Sequence, residues 1–351
     1  MKLYQKIAII QPAVPRYRKD YFDELRKVAD IKIYTTHKDF LNVKSVADLD
    51  YVSYQKNFVG FYGLYWHKNL PISQIIKNFD IVVINGNLRI INYMILLIAS
   101  KYFKKQIIWW GHLNPAGSYG LFAKIRMQIM RIATKRLFYT EYEYLRYKHK
   151  ANTYYLNNGL KNVRPMKPRS MGVFANLNSL KIIFIGRLTK KTNIEFALRC
   201  LKHSEIEFTF DIIGDGPSYK KLKDTYSSPR FQFHGEINND RKIKEIVSDA
   251  QLFLYPGAVG LSLIHGFNLG LVAIVHNNEK NHMPEYSAFK AGYNGINFVE
   301  DDPKSLEKSL LKYMALEQNE KHQMHMNALN TTKQSYNTDD MIQKFVNCIT
   351  A

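Results

Sequence analysis

The chain has 351 residues, 46% hydrophobic and 23% charged, proportions that exclude wholesale disorder and a collagen-like array. Its 2 cysteines, Cys200 and Cys348, are too few for a disulfide scaffold or a zinc cluster, which fits a reducing cytoplasm. The formal charge of +20 is segregated: residues 1–170 hold 29 Lys and Arg against 10 Asp and Glu, leaving 21 against 20 for the rest, so one half is expected to face a polyanion, either nucleic acid or an acidic lipid surface.

At this length two domains of roughly 150–180 residues are expected. The start, Met1 to Ala8, runs directly into a strand pattern without the apolar core and small-residue cleavage site of an export signal. Strand-like runs follow at Ile7–Ile10, Ile31–Tyr34, Ile81–Ile84, Gln106–Trp110 and Leu137–Tyr139, with helical spacing at Asp20–Ala29 and Leu121–Ala133. The first βα loop, Gln11 to Arg18, lacks a Gly-x-Gly-x-x-Gly signature, so a dinucleotide site there is disfavoured. Its Arg16 and Arg18 fit contact with an acceptor phosphate as well as a solvated surface. The longest apolar run, Ile90 to Ser100, is broken by Asn92 and Tyr93 and falls short of the ~20 residues of a membrane span.

His112 comes just after the strand pattern Gln106–Trp110, on the edge of a parallel sheet where open α/β folds take ligands; a capping or core histidine is the alternative. Between Tyr119 and Tyr139, Phe122, Ile125, Ile129 and Ile132 recur at helical spacing beside Lys124, Arg126, Arg131, Lys135 and Arg136. Such a helix can lie on an anionic leaflet or pack on a core with a charged outer face, and the excess charge of this half favours the leaflet. Asn157-Asn158-Gly159, Pro165, Pro168 and Ser170 then interrupt the periodicity. A first domain over 1–165, a second over 166–335 and a C-terminal helix within 336–351 packing back toward the first are expected.

The second half repeats the rhythm, with strands at Lys181–Gly186, Phe208–Ile213, Phe231–His234, Leu252–Tyr255 and Val272–His276. Helical patterns fall at Asn193–His203, Tyr219–Tyr226, Leu261–Leu269, Pro303–Leu316 and Asp339–Ile349, the last after a cap at Asn337-Thr338-Asp339. Strands alternating with helices predict an α/β protein of two doubly wound, Rossmann-like domains facing a cleft. Leu252–Tyr255 stops at Pro256, a glycine-bearing loop from Gly257 follows, and a helix starts near Leu261. Free amides at such a helix start make an anion site, and Gly260 lets a diphosphate approach the backbone; a plain tight βα turn is the alternative. Beyond another strand, Gly186-Arg187-Leu188-Thr189-Lys190-Lys191 sets cations where they can clamp pyrophosphate.

These pieces, with Gly214-Asp215-Gly216 and His234-Gly235-Glu236 in the same order, resemble the donor-binding domain of the retaining GT-B glycosyltransferases of family four, across essentially the whole second half. The resemblance implies that the diphosphate of a nucleotide sugar contacts Arg187 and the amides of Gly260, Leu261 and Ser262, with the base near Glu236. The family's Glu-x7-Glu positions fall on Gly257 and His265, and its usual lysine falls on Thr192, leaving Lys190 or Lys191 as substitutes. A family branch with histidine at the second acidic position and a following Met-Pro-Glu is similar to His265 and Met283-Pro284-Glu285. His265 is then either a ribose ligand or a helix-packing histidine, and Glu285 a sugar-hydroxyl contact or a helix-entry acid. A histidine at the place of His112 belongs to the family's active centre.

By the same resemblance, cations and helix dipoles replace a metal in stabilising the departing nucleoside diphosphate, and neither metal nor cofactor is expected. Asp39, Asp48 and Asp50 fall in a predicted surface loop. The expected reaction is transfer of a hexose with retention to a lipid-linked saccharide of bacterial surface polysaccharide, by a cytoplasmic protein peripheral on the inner face of the membrane. Alternatives are a nucleotide-sugar epimerase, for which only Glu285 offers a carboxylate, a non-enzymatic nucleic-acid or anionic-polymer binding protein, for which the basic half lacks a recognised motif, and a catalytically silent scaffold.

Overall fold

The β-rich runs become the strands of two parallel sheets, one in each of two compact units: residues 1–161 with 337–351, and residues 162–336. The computed structural model describes residues 3–37, 39–41, 43–113, 121–147, 151–161, 168–174 and 179–351. Tyr119 and Pro165, and the side chain of Phe122, lie outside what is described.

In the first unit the order along the chain is β1 (Leu3–Ile10), α1 (Arg16–Val28), β2 (Ala29–Thr36), β3 (Val52–Gln55), β4 (Phe58–Phe61), β5 (Leu64–His67), α2 (Ile72–Asn78), β6 (Ile81–Asn85), α3 (Ile91–Tyr102), β7 (Gln106–Trp110), α4 (Leu121–Met130), β8 (Lys135–Phe138), α5 (Glu141–Tyr147) and β9 (Thr153–Tyr155). Its sheet runs β3-β2-β1-β6-β7-β8-β9, parallel throughout, while β4 and β5 form a separate antiparallel hairpin. Strands such as Ile81-Val82-Val83-Ile84 are apolar at every position because both sheet faces are covered, Ile81 and Val83 packing on one side and Val82 and Ile84 on the other.

The second unit contains β10 (Leu180–Ile185), α6 (Ile194–Lys202), β11 (Phe208–Ile213), α7 (Tyr219–Tyr226), β12 (Phe231–Gly235), α8 (Asp240–Ile246), β13 (Leu252–Tyr255), α9 (Leu261–Asn268), β14 (Val272–His276), β15 (Gly295–Phe298), α10 (Pro303–Met314) and α11 (Gln318–Gln334). Its parallel sheet has the order β12-β11-β10-β13-β14-β15. Winding reverses between β10 and β13, and the crevice at such a switch point is where doubly wound sheets take their ligands.

The last helix, α12 (Thr338–Thr350), belongs to the first unit. Asn337 caps it by accepting from the Asp340 amide at 2.9 Å, and Met341, Phe345, Cys348 and Ile349 bury against Ile7, Tyr21 and Trp110. Lys135 donates to the Cys348 carbonyl at 2.7 Å, so this buried ammonium closes the helix C-terminus instead of joining a basic outer face.

Elements without a clean sequence pattern are mostly short or polar. The edge strands β3, β9 and β15 carry three or four residues each, and α11 has no apolar stripe; its start is fixed by the Glu317–Glu320 capping box, and Lys321 in its first turn donates to the Met314 carbonyl at the end of α10. The run at Ile90–Ser100 forms α3, which buries Tyr93, Leu96 and Leu97 and leaves Ile91, Ile95, Ile98 and Tyr102 exposed.

Candidate functional site

Close backbone approaches assemble the carboxyl edge of the second sheet. Gly257 lies so near the 190–192 turn that a Cβ there would fall 2.3 Å from the Lys191 carbonyl oxygen, and the Ala258 amide donates to that same oxygen at 2.9 Å. Gly214 and Gly216, both at positive φ, abut the backbone of Gly186 and Leu188, where added Cβ atoms would sit 1.9 and 2.4 Å from carbonyl oxygens. The loops after β10, β11 and β13 therefore meet at the switch point between β10 and β13. Arg187, Lys190 and Lys191 remain exposed on the first of them.

On the third loop Gly260 is the N-cap of α9 without a side-chain cap, so the N–H groups of Leu261 and Ser262 have no partner within the helix. The Ser262 side chain lies close to the buried Tyr255 phenol. A positive dipole end and outward amides can hold an anion here.

His282, just ahead of the Met283-Pro284-Glu285 run and not singled out in the sequence, helps bring the acid to this loop. His282 is buried, accepts the Val259 amide at Nδ1 (3.1 Å) and reaches the His276 carbonyl from Nε2 (2.9 Å), which puts its hydrogen on Nε2. Burial pushes its imidazole down to about 4, so it is neutral near pH 7. The Met283 amide donates to the Val259 carbonyl at 2.9 Å, pinning 282–285 alongside 257–260. Glu285 is buried, and its Oε2 lies 3.4 Å from where a Gly260 Cβ would stand. It lies in the first turn of a short 3-10 helix that starts at Pro284, so helix entry and closeness to the anion loop hold together. His265, half-buried on α9, has its pKa lowered by desolvation against a weaker pull from Asp240 and sits neutral beside the loop. Glu236 is exposed beyond β12 and accepts from Asn238 at 3.2 Å; the adjacent Gly235 carbonyl accepts the Gly214 amide, so Glu236 stands at the rim of the same edge.

In the first unit His112 follows β7, partly exposed, with Nδ1 3.2 Å from the buried Glu143 Oε1. The same oxygen accepts the Leu113 amide at 2.8 Å, and Thr140 donates to the other oxygen. A fixed carboxylate at Nδ1 holds the hydrogen there and leaves Nε2 as an outward acceptor. Glu143 escapes a sequence reading because it acts across 31 residues. The available signal, Thr140-x-x-Glu143, reads only as a helix cap.

Among the cations expected at an acceptor or membrane, Arg16, Lys124 and Arg131 are exposed. Arg126 is not: it turns inward, donates twice to the His112 carbonyl (3.1 and 2.7 Å) and lies over Trp109, and burial lowers its guanidinium to about 10. Its part is to hold the His112 backbone, which corrects its expected place on a membrane face. Arg18 is likewise buried, not solvated, with Nη2 donating to Asn158 at 2.7 Å. Among the described residues no cluster of His, Cys, Asp and Glu has the makings of a metal site, and no helix is long and apolar enough to cross a membrane.

Two Rossmann-like parallel-sheet units with an anion loop at the second unit's switch point define the GT-B class of fold. Residues 172–331, most of the second unit, match the family described as Glycosyl transferases group 1. The chain is similar in structure to Anabaena HepE in complex with UDP and glucose, with a TM-score of 0.68 at 12% identity, covering 99% of this chain and 100% of the other. It is similar to the apo lipopolysaccharide outer core galactosyltransferase WaaB (TM-score 0.70, 14% identity, 98% and 99% covered). The third likeness is to sucrose-phosphate synthase of Thermosynechococcus elongatus (0.65, 14%, 98% of each chain). At these identities the likeness is one of fold. No curated protein matches the chain.

Proposed function

We propose that the protein transfers a hexose from a nucleoside-diphosphate sugar, with retention and without a metal, to a lipid-linked saccharide during synthesis of a bacterial surface polysaccharide. The observation that carries this reading is the convergence of three glycine-locked loops on the uncapped start of α9. In it the Gly260–Ser262 amides, Arg187 and Lys191 stabilise the departing diphosphate, Glu236 lies toward the base, and Glu285 and His265 meet sugar and ribose hydroxyls. Neutral His265 can donate or accept one such bond but is no fixed anion, unlike the carboxylate it replaces in the family pattern. His112, its tautomer held by Glu143, is assigned to the transferred sugar. The complexes of HepE with UDP and with UDP-glucose support a uridine donor.

A peripheral position on the inner membrane face is supported by an apolar surface on the first unit. Ile91, Ile95, Ile98 and Tyr102 line one exposed side of α3, and the hairpin tip offers Phe61, Tyr62 and Leu64. The two are clipped together, since Asn92 bonds both the amide and the carbonyl of His67. Exposed Lys68, Arg89, Lys101 and Lys104 flank them, the mixture of apolar contact and cationic rim that suits an anionic leaflet. In this reading α3 and the hairpin make the membrane contact, and Lys124 on α4 and Arg131 just beyond it are further exposed cations.

The test is incubation with a panel of nucleoside-diphosphate sugars, measuring slow release of free nucleoside diphosphate together with thermal stabilisation. A response to one base and sugar is expected; indifference to every nucleotide sinks the transferase reading.

A further inference from the structure

At the carboxyl edge of the first sheet a cavity of about 270 Å³ is lined by Gln11 just beyond β1, Asn85 at the end of β6, Trp110 at the end of β7 and Arg18 on α1. Arg18 is 8% exposed, and its guanidinium lies 4.9 Å from the Trp110 ring centroid and 5.2 Å from that of Tyr139. Asn158 occupies Nη2, whereas Nη1 is buried without a hydrogen-bond partner among the described residues. None of the described carboxylates forms an ion pair with it. The Gln11 side chain repeats the pattern: its Oε1 accepts from Asn85 at 3.1 Å, which orients the amide, and its Nε2 is buried without a partner.

A desolvated cation and an unsatisfied amide donor on residues lining one cavity are costly unless something accepts from both. Aromatic faces soften that cost for a guanidinium but supply no acceptor oxygen. We propose that this cavity binds an anionic group of the acceptor, a carboxylate or phosphate oxygen that takes hydrogen bonds from Arg18 Nη1 and Gln11 Nε2. Phe40, Leu41 and Val43, also in the lining and the last two exposed, pack against the ring or chain that carries the anion. The inference rests on the transferase reading and narrows its lipid-linked saccharide acceptor to one with a negative charge beside the accepting sugar. The charge can come from a sugar acid or from the phosphate of a lipid carrier, both of which offer paired oxygens to a guanidinium.

Calorimetric titration of the full chain, without nucleotide, tests it with methyl β-glucuronoside, the neutral methyl β-glucoside and dodecyl phosphate, on wild type, Arg18→Gln and Gln11→Glu. An anionic probe is expected to bind wild type at least about tenfold more tightly than the neutral glycoside, and Arg18→Gln to lose that margin. Gln11→Glu places a carboxylate in the cavity, so it should raise the melting temperature while abolishing anion binding; it keeps the test decisive should Arg18→Gln misfold. Preference for the glucuronoside or for dodecyl phosphate identifies the source of the charge. Equal binding of charged and neutral probes by wild type, or anion binding undiminished in both variants, overturns the proposal. A parallel UDP titration separates the outcomes: UDP binding with no anion margin removes only this inference, while an anion margin with no binding of UDP or any other nucleotide removes the transferase reading.

Discussion

In the second unit the loops over the sheet are locked by main chain on main chain, Gly257 against Lys191 and Gly214 against Gly186, and the groups offered to a ligand are amides. In the first unit the corresponding edge is built by side chains reaching across the fold: Arg18 to Asn158, 140 residues apart, and His112 to Glu143. Under the proposed function the difference answers two recognition problems. A diphosphate carries the same charge on every donor, and fixed amides at a helix start serve any of them. An acceptor must be told from its relatives, and discrimination of that kind comes from oriented side chains and from donors left unpaired until the right partner arrives.

The sharpest way to break this contrast is Gly257→Ala. The new methyl overlaps backbone, which has no flexible end to give way, so the Lys191 and Gly260 loops must part. A loss of about 1–3 kcal/mol in stability and a nucleotide affinity weakened by tenfold or more are expected, checked by thermal melts and UDP titration. If binding is untouched, the loops are not held together by that approach.

A smaller and more selective effect is expected from Glu143→Gln. An amide at that place no longer fixes the hydrogen on Nδ1 of His112, so turnover should fall about tenfold to a hundredfold while UDP affinity stays at the wild-type value. Equal losses in both would mean that Glu143 supports the fold and not the tautomer.

The mildest change concerns location. Replacing Phe61 and Ile98 with serine should weaken sedimentation with anionic vesicles several-fold, each exposed side chain being worth ~1–2 kcal/mol in the interface, and leave nucleotide binding alone. Binding that instead follows Lys124→Gln and Arg131→Gln would return the contact to α4.

Legibility in the sequence follows the same divide. Strands such as Phe208–Ile213 and Val272–His276, and the start of α9 at Leu261, were readable because strand, glycine turn and helix are local patterns. The fates of Arg126 and Lys135 were not, since both sit in a stretch whose spacing reads as a basic amphipathic helix, and tertiary packing alone turns them inward to the His112 and Cys348 carbonyls. His282 was missed for a related reason: it contacts no proposed ligand but sets the distance between Gly260 and Glu285 through Val259, six residues after the strand that ends at His276.

Because amides cannot be mutated away, the central claim is best tested by watching them. Hydrogen–deuterium exchange of the segment containing Gly260, Leu261 and Ser262, measured with and without saturating UDP, should slow more on binding than the remainder of α9. Bound UDP that leaves this segment unchanged while protecting other loops would contradict the assignment of the diphosphate to the start of α9.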